Sequence, residues 1–71
     1  MSAEPARIIA NGSETRVQLP CTVAGFLADR GWKPTQVVVE HNGNVLAKNE
    51  MTTQPLRDGD RLEIVVPVAG G

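Results

Sequence analysis

The side chains that most often reveal chemistry are nearly missing from this 71-residue chain, which has one cysteine, Cys21, and one histidine, His41. A lone thiol allows no internal disulfide and no cysteine metal cluster. A small domain without staples fits a reducing compartment, so a cytoplasmic location is expected. Tyrosine is absent, and Phe26 and Trp32 are the only aromatics. Charge of one sign is lacking too: seven Lys+Arg stand against eight Asp+Glu, a net charge of -1. A nucleic-acid binder of this size would carry a basic stripe and stacking aromatics, and neither is here. The apolar runs are only a few residues long, far short of the roughly 20 that a membrane span needs. Met1–Arg7 holds no apolar segment of the secretory kind. What the chain does have is aliphatic material, 41% hydrophobic residues with nine valines among them. That suffices for one small core and one domain. Its expected stability is roughly 3.5–10 kcal/mol.

The pattern along the chain supplies the elements. Ala6–Ala10 is apolar, Asn11-Gly12 is a tight-turn signal, and Thr15–Leu19 alternates polar with apolar. These make a hairpin with Ile8, Ala10, Val17 and Leu19 on one face and Ile9, Arg16 and Gln18 on the other. Pro20 closes the second strand because it has no N–H for a ladder. Thr22 is placed to cap a helix carrying Val23, Phe26 and Leu27 at helical spacing, with Gly31 as its stop. A helix of about nine residues cannot stand alone and must pack on the sheet. Val37–Glu40 reads as a third strand, Asn42-Gly43-Asn44 as a turn, and Val45–Ala47 as a short fourth strand. Lys48–Pro55 reads as irregular around a single turn at Met51. After the Asp58-Gly59-Asp60 turn, Arg61–Val66 is the last strand. The order β-β-α-β-β-β predicts an α+β fold, a β-grasp with a four- to five-stranded mixed sheet and one main helix on one face.

Few side chains suggest catalysis. His41 beside Asn42-Gly43 has no second ligand at metal spacing and reads as a solvated turn histidine. Cys21 precedes a helix, where a thiol pKa can fall, but no histidine lies nearby in sequence, so a structural role is expected. Asp58 and Asp60 lack the other ligands of a calcium loop and read as a turn with surface charge. No glycine-rich loop followed by Lys-Ser/Thr occurs, so no P-loop is present. Arg7, Arg16, Arg57 and Arg61 are scattered among acids, as on a solvated face.

The unusual place is Pro67-Val68-Ala69-Gly70-Gly71. Glycines without Cβ let a backbone enter a narrow channel and leave the last carboxylate open. Five extended residues reach roughly 17 Å. Residues 1–66 are therefore expected to form the domain and 67–71 a flexible tail. Strand alternation also puts Ile9, Val38 and Val65 opposite the core positions. With Val68 they are the expected partner-binding surface.

Several segments together resemble the thiamine-biosynthesis sulfur carrier family (ThiS), ubiquitin-like members of the MoaD/ThiS superfamily. They are Asn11-Gly12-Ser13-Glu14, Thr22-Val23 with Phe26-Leu27, Val37–Asn42, Leu56–Val66 and the final Gly70-Gly71. Two departures stand out: Val45-Leu46-Ala47-Lys48 where the family often has Val-Pro-Arg, and Ala69 where it often has glycine. The resemblance implies a protein that is a substrate of its partners and not an enzyme. A ThiF-type, E1-like adenylyltransferase would use ATP and magnesium to adenylate the Gly71 carboxylate, with Gly70 and Ala69 giving access. Sulfur from a persulfide donor would then give a thiocarboxylate, delivered to a ThiG-type thiazole synthase. The chain itself would bind no cofactor, metal, nucleic acid or membrane. The other readings are a sulfur carrier for molybdopterin or cysteine synthesis, and a ubiquitin-like modifier or binding module.

Overall fold

The computed structural model describes residues 4–67. Two strands, β1 (Glu4–Ala10) and β2 (Ser13–Leu19), form the first hairpin, with Ile8 opposite Thr15 and Ala10 opposite Ser13. Asn11 and Gly12 take the turn at φ 51° and 82°, the left-handed pair that matches strand twist in a two-residue hairpin. The helix α1 spans Val23–Asp29, and the Thr22 hydroxyl accepts from the Gly25 N–H at 3.0 Å. Gly31, at φ 83°, ends it by donating to the Ala28 carbonyl at 3.0 Å. Val23, Phe26 and Leu27 are its buried face.

A 3-10 turn at Pro34–Gln36 leads into β3 (Val38–His41), followed by β4 (Asn44–Val45), α2 (Lys48–Met51) and β5 (Arg61–Val65). The sheet order is β2-β1-β5-β3-β4, so β5 is central. It runs parallel to β1 and antiparallel to β3. This is a mixed five-stranded sheet with α1 on one face, the expected β-grasp.

The boundaries differ from the sequence reading for definite reasons. Asn42 and Gly43 form a second two-residue turn at φ 50° and 87°. Such a turn requires His41 and Asn44 as its closing pair, so β3 extends to His41 and β4 begins at Asn44. Val37 precedes β3, yet it is buried. Around Met51 there is a short helix, because the Glu50 carboxylate accepts from the Ala47 N–H at 2.7 Å and starts it. Met51 is then buried beside Leu46 and Leu56, which close the core formed by Ile8, Val17, Phe26, Leu27, Val39, Leu62 and Ile64. The segment before β5 is tied to the start of α1. Val23 N–H donates to Gln54 at 3.0 Å, and Leu56 N–H donates to Cys21 at 2.8 Å.

Candidate functional site

The central strand β5 is the last element among the described residues, and groups from both neighbouring strands hold it. Both strands flanking β5 end in an Asn-Gly turn, and both asparagines turn back onto β5. Asn11 accepts from the Ile64 N–H at 2.7 Å and donates to the Ile64 carbonyl at 3.2 Å. Its amide thus replaces a further β1 residue in the parallel ladder. Asn42 accepts from the Arg61 N–H at 2.8 Å, while its own N–H donates to the Arg61 carbonyl at 2.9 Å. The two side chains clamp β5 from opposite edges, near its end and at its start.

Just before β5, Asp60 is only 8% exposed. Its carboxylate accepts from His41 Nε2 at 2.8 Å, Asn42 Nδ2 at 3.1 Å and the Arg57 N–H at 2.9 Å. Burial pushes the Asp60 carboxyl upward, but these three hydrogen bonds and the nearby His41 outweigh it and hold the pKa below the usual value. Surface charge is therefore the wrong description of Asp60, and solvated the wrong one for His41, whose ring is half-buried against it. Asp58 remains exposed and accepts from the Arg7 N–H at 2.9 Å. Among the described residues, no cluster of three or more His, Cys, Asp and Glu side chains could hold a metal ion. No described helix is long and apolar enough to cross a membrane.

Cys21 lies half-buried in a groove between β2 and α1, beside Arg16, Phe26 and Arg30. Burial first, and the negative Asp29 second, push its thiol pKa up, so it stays protonated. That disfavours a nucleophile there.

The residues expected at the partner surface are only partly gathered. Val38 sits directly opposite Val65 on the sheet face away from α1, 44% and 57% exposed. Ile9 is level with Arg61, four residues earlier on β5 than Val65, and is half-buried. It stands apart from the valine pair instead of beside it, because the parallel β1–β5 register is set by the start of β5. Val45, which faces Glu40 across the β3–β4 pair, is 65% exposed. Val68, Ala69, Gly70 and Gly71 lie outside the described residues.

Sequence reading missed Asn11 and Asn42 as side chains with a job beyond their turns. The signal was there, an Asn-Gly pair after each of two strands.

A family model described as the ThiS family matches residues 3–71. The chain belongs to the ThiS family. Among curated proteins it is similar to a thiazole synthase from Paramagnetospirillum magneticum, with 32% identity over 65 residues. That match covers 92% of this chain but spans only about a fifth, 20%, of the relative's length. Among solved structures it is similar to the crystal structure of the thiamine biosynthesis protein (ThiS) from Geobacter metallireducens. The TM-score is 0.76 at 26% identity, covering 92% of this chain and 99% of that one. The β-grasp architecture is thus shared with a ThiS protein over nearly its whole length.

Proposed function

We propose that this ThiS-family chain is a sulfur carrier for thiazole synthesis in thiamine formation, and that the Gly71 carboxylate carries the sulfur. The observation behind this reading is the family match, which runs over the whole β-grasp and on through Gly70-Gly71. The similarity to a thiazole synthase supports that enzyme as the recipient.

A carboxylate resists attack because its charge is delocalised and oxide is a poor leaving group. A ThiF-type activating enzyme joins it to the AMP portion of ATP, releasing pyrophosphate, with magnesium held by that enzyme. The outer sulfur of a persulfide donor attacks the acyl carbon and AMP leaves, giving an acyl disulfide. A thiol then cleaves the S–S bond, is itself oxidised to a disulfide, and leaves the thiocarboxylate on Gly71. In this scheme the chain is a substrate of its partners and supplies no catalytic group. Its own contribution is presentation. β5 is held on both edges by Asn11 and Asn42, and the residues after Pro67 enter the partner's site. Gly70 admits the backbone to a narrow channel, and Ala69 adds little bulk.

Intact-mass measurement on protein isolated from its host tests the reading. A population heavier by the difference between sulfur and oxygen is expected, located to Gly71 by fragmentation and shifted up by a further alkyl mass when the thioacid sulfur is alkylated. A Gly71 carboxylate that stays unmodified when the activating enzyme, ATP and a persulfide donor are supplied would overturn it.

A further inference from the structure

β2 forms one edge of the sheet, and β4, only two residues long, forms the other. A seven-residue edge strand is a template for another strand unless something blunts it. In β2 nothing does. Ser13–Leu19 contains no proline and no lysine, and it pairs with β1 from Ser13 to Leu19 without a bulge. α1 does not close over this edge. An open groove of about 610 Å³ lies between them, lined by Val17 and Gln18 on one side and Phe26 and Arg30 on the other.

The backbone of β1 decides which groups of β2 face outward. Arg7 N–H donates to Asp58 at 2.9 Å, and the Arg7 carbonyl accepts from the Gly59 N–H at 2.7 Å. Ile9 N–H donates to the Asp60 carbonyl at 2.8 Å. Both residues thus turn their backbone groups away from β2. In an antiparallel ladder, opposed residues do so together. Arg16 and Glu14, opposite Arg7 and Ile9, therefore aim N–H and C=O at the free edge. Among the described residues, no backbone group bonds to them there. Their side chains are exposed and opposite in charge. Arg16 also faces Arg7 directly, a like-charge opposition that disfavours the ladder. Glu14 offsets it only in part, because its ion pair is with Arg7, at 3.5 Å.

We propose that β2 pairs with β2 of a second copy of this chain, antiparallel and centred on Thr15, so that the two sheets become continuous. Charge singles out this register. About Thr15, Glu14 of each copy lies opposite Arg16 of the other, and each such pair exchanges both outward backbone bonds. The incoming carboxylate also relieves the repulsion between Arg16 and Arg7. Pairing about Glu14 or about Arg16 would set like charges against each other. Pairing about Val17 would put Glu14 opposite Pro20, which has no N–H to give. The contact is smaller than the roughly 1,200 Å² of a standard interface, so the dimer is weak and exchanges readily. It does not rest on the carrier reading. β1 stands between β2 and β5, so the central strand stays free in the dimer.

Sedimentation equilibrium up to about millimolar protein tests this with wild type, Arg16→Glu and the charge-swapped Glu14→Arg/Arg16→Glu chain, each checked by a thermal melt. Wild type is expected to self-associate, Arg16→Glu to do so about tenfold more weakly or worse, and the swapped chain to recover. The register is read separately by disulfide capture on a Cys21→Ser background. Two Thr15→Cys residues would face each other with Cα atoms about 4.5 Å apart, within disulfide reach, whereas Ser13→Cys would face Val17. Thr15→Cys should therefore cross-link several-fold faster than Ser13→Cys. A wild type that stays monomeric throughout, a folded Arg16→Glu chain that associates as tightly, or equal cross-linking of the two cysteine variants would overturn the proposal. None of these results bears on whether Gly71 is adenylated.

Discussion

The two ends of β5 are built in opposite ways. At its start, Asp60 is buried under hydrogen bonds from His41, Asn42 and Arg57, and Arg61 is held on both backbone groups by Asn42. At its end, Asn11 holds Ile64, and beyond it Val65 and Val66 are 57% and 50% exposed. One strand therefore serves two demands. Its root is fixed by polar groups that would be costly to leave unpaired, and its tip leaves aliphatic side chains exposed.

The contrast breaks most severely at Asp60. Asp60→Ala leaves three donors facing a buried void and is expected to cost about 2–4 kcal/mol. Against a total of roughly 3.5–10 kcal/mol, that is a large share, read as a lower urea midpoint. A loss below about 0.5 kcal/mol would mean the root of β5 is not polar-anchored.

The asparagine clamps come next. Asn42→Gly and Asn11→Gly keep the left-handed turn accessible and remove only the side-chain hydrogen bonds. Each is expected to cost about 1–2 kcal/mol. Amide exchange should rise at Arg61 for the first and at Ile64 for the second. Exchange that rises equally along β5 in both would erase the distinction between its two ends.

The acid limb of stability follows from the same root. Because the folded Asp60 carboxyl sits below its ordinary value, its contribution is present above the unfolded pKa of about 3.9. That contribution fades as pH falls through the folded value. Asp60→Asn should flatten stability against pH below about 4, compared with wild type. An unchanged acid limb would show that Asp60 gains nothing from being ionised in the fold.

The smallest effect on folding is expected at the tip. Val65→Glu should alter stability by about 0.5 kcal/mol or less, since the side chain is exposed. It should nonetheless weaken binding to the activating enzyme, with circular dichroism confirming the fold. Unchanged affinity would detach the valine pair from function.

Much of this fold was legible because it rests on periodicity and turn chemistry. Period two puts Ile8 and Val17 inside, and helical spacing does the same for Phe26 and Leu27. The alternation that turns Val38 and Val65 outward turns Val39, Leu62 and Ile64 inward, and all of these inward residues are buried. Thr22 and Gly31 cap α1 as their residue types imply. The polar root of β5 was not legible. His41 and Asp60 are 19 residues apart, and only the β3–β5 pairing brings them within 2.8 Å. The same cause separates Ile9 from Val65. Strand alternation assigns a face, but register along that face depends on which backbone groups pair, and Asp58, Gly59 and Asp60 set it through Arg7 and Ile9. The opposition of Arg7 and Arg16 likewise follows from register alone.

The claim that β5 exists to present a reactive end meets its most direct test in a chain lacking Gly71. ATP–pyrophosphate exchange is measured with the ThiF-type activating enzyme, alongside a thermal melt of each protein. The account predicts robust exchange with the full chain, none with the truncated one, and superimposable melts. Exchange that persists without Gly71 would contradict it.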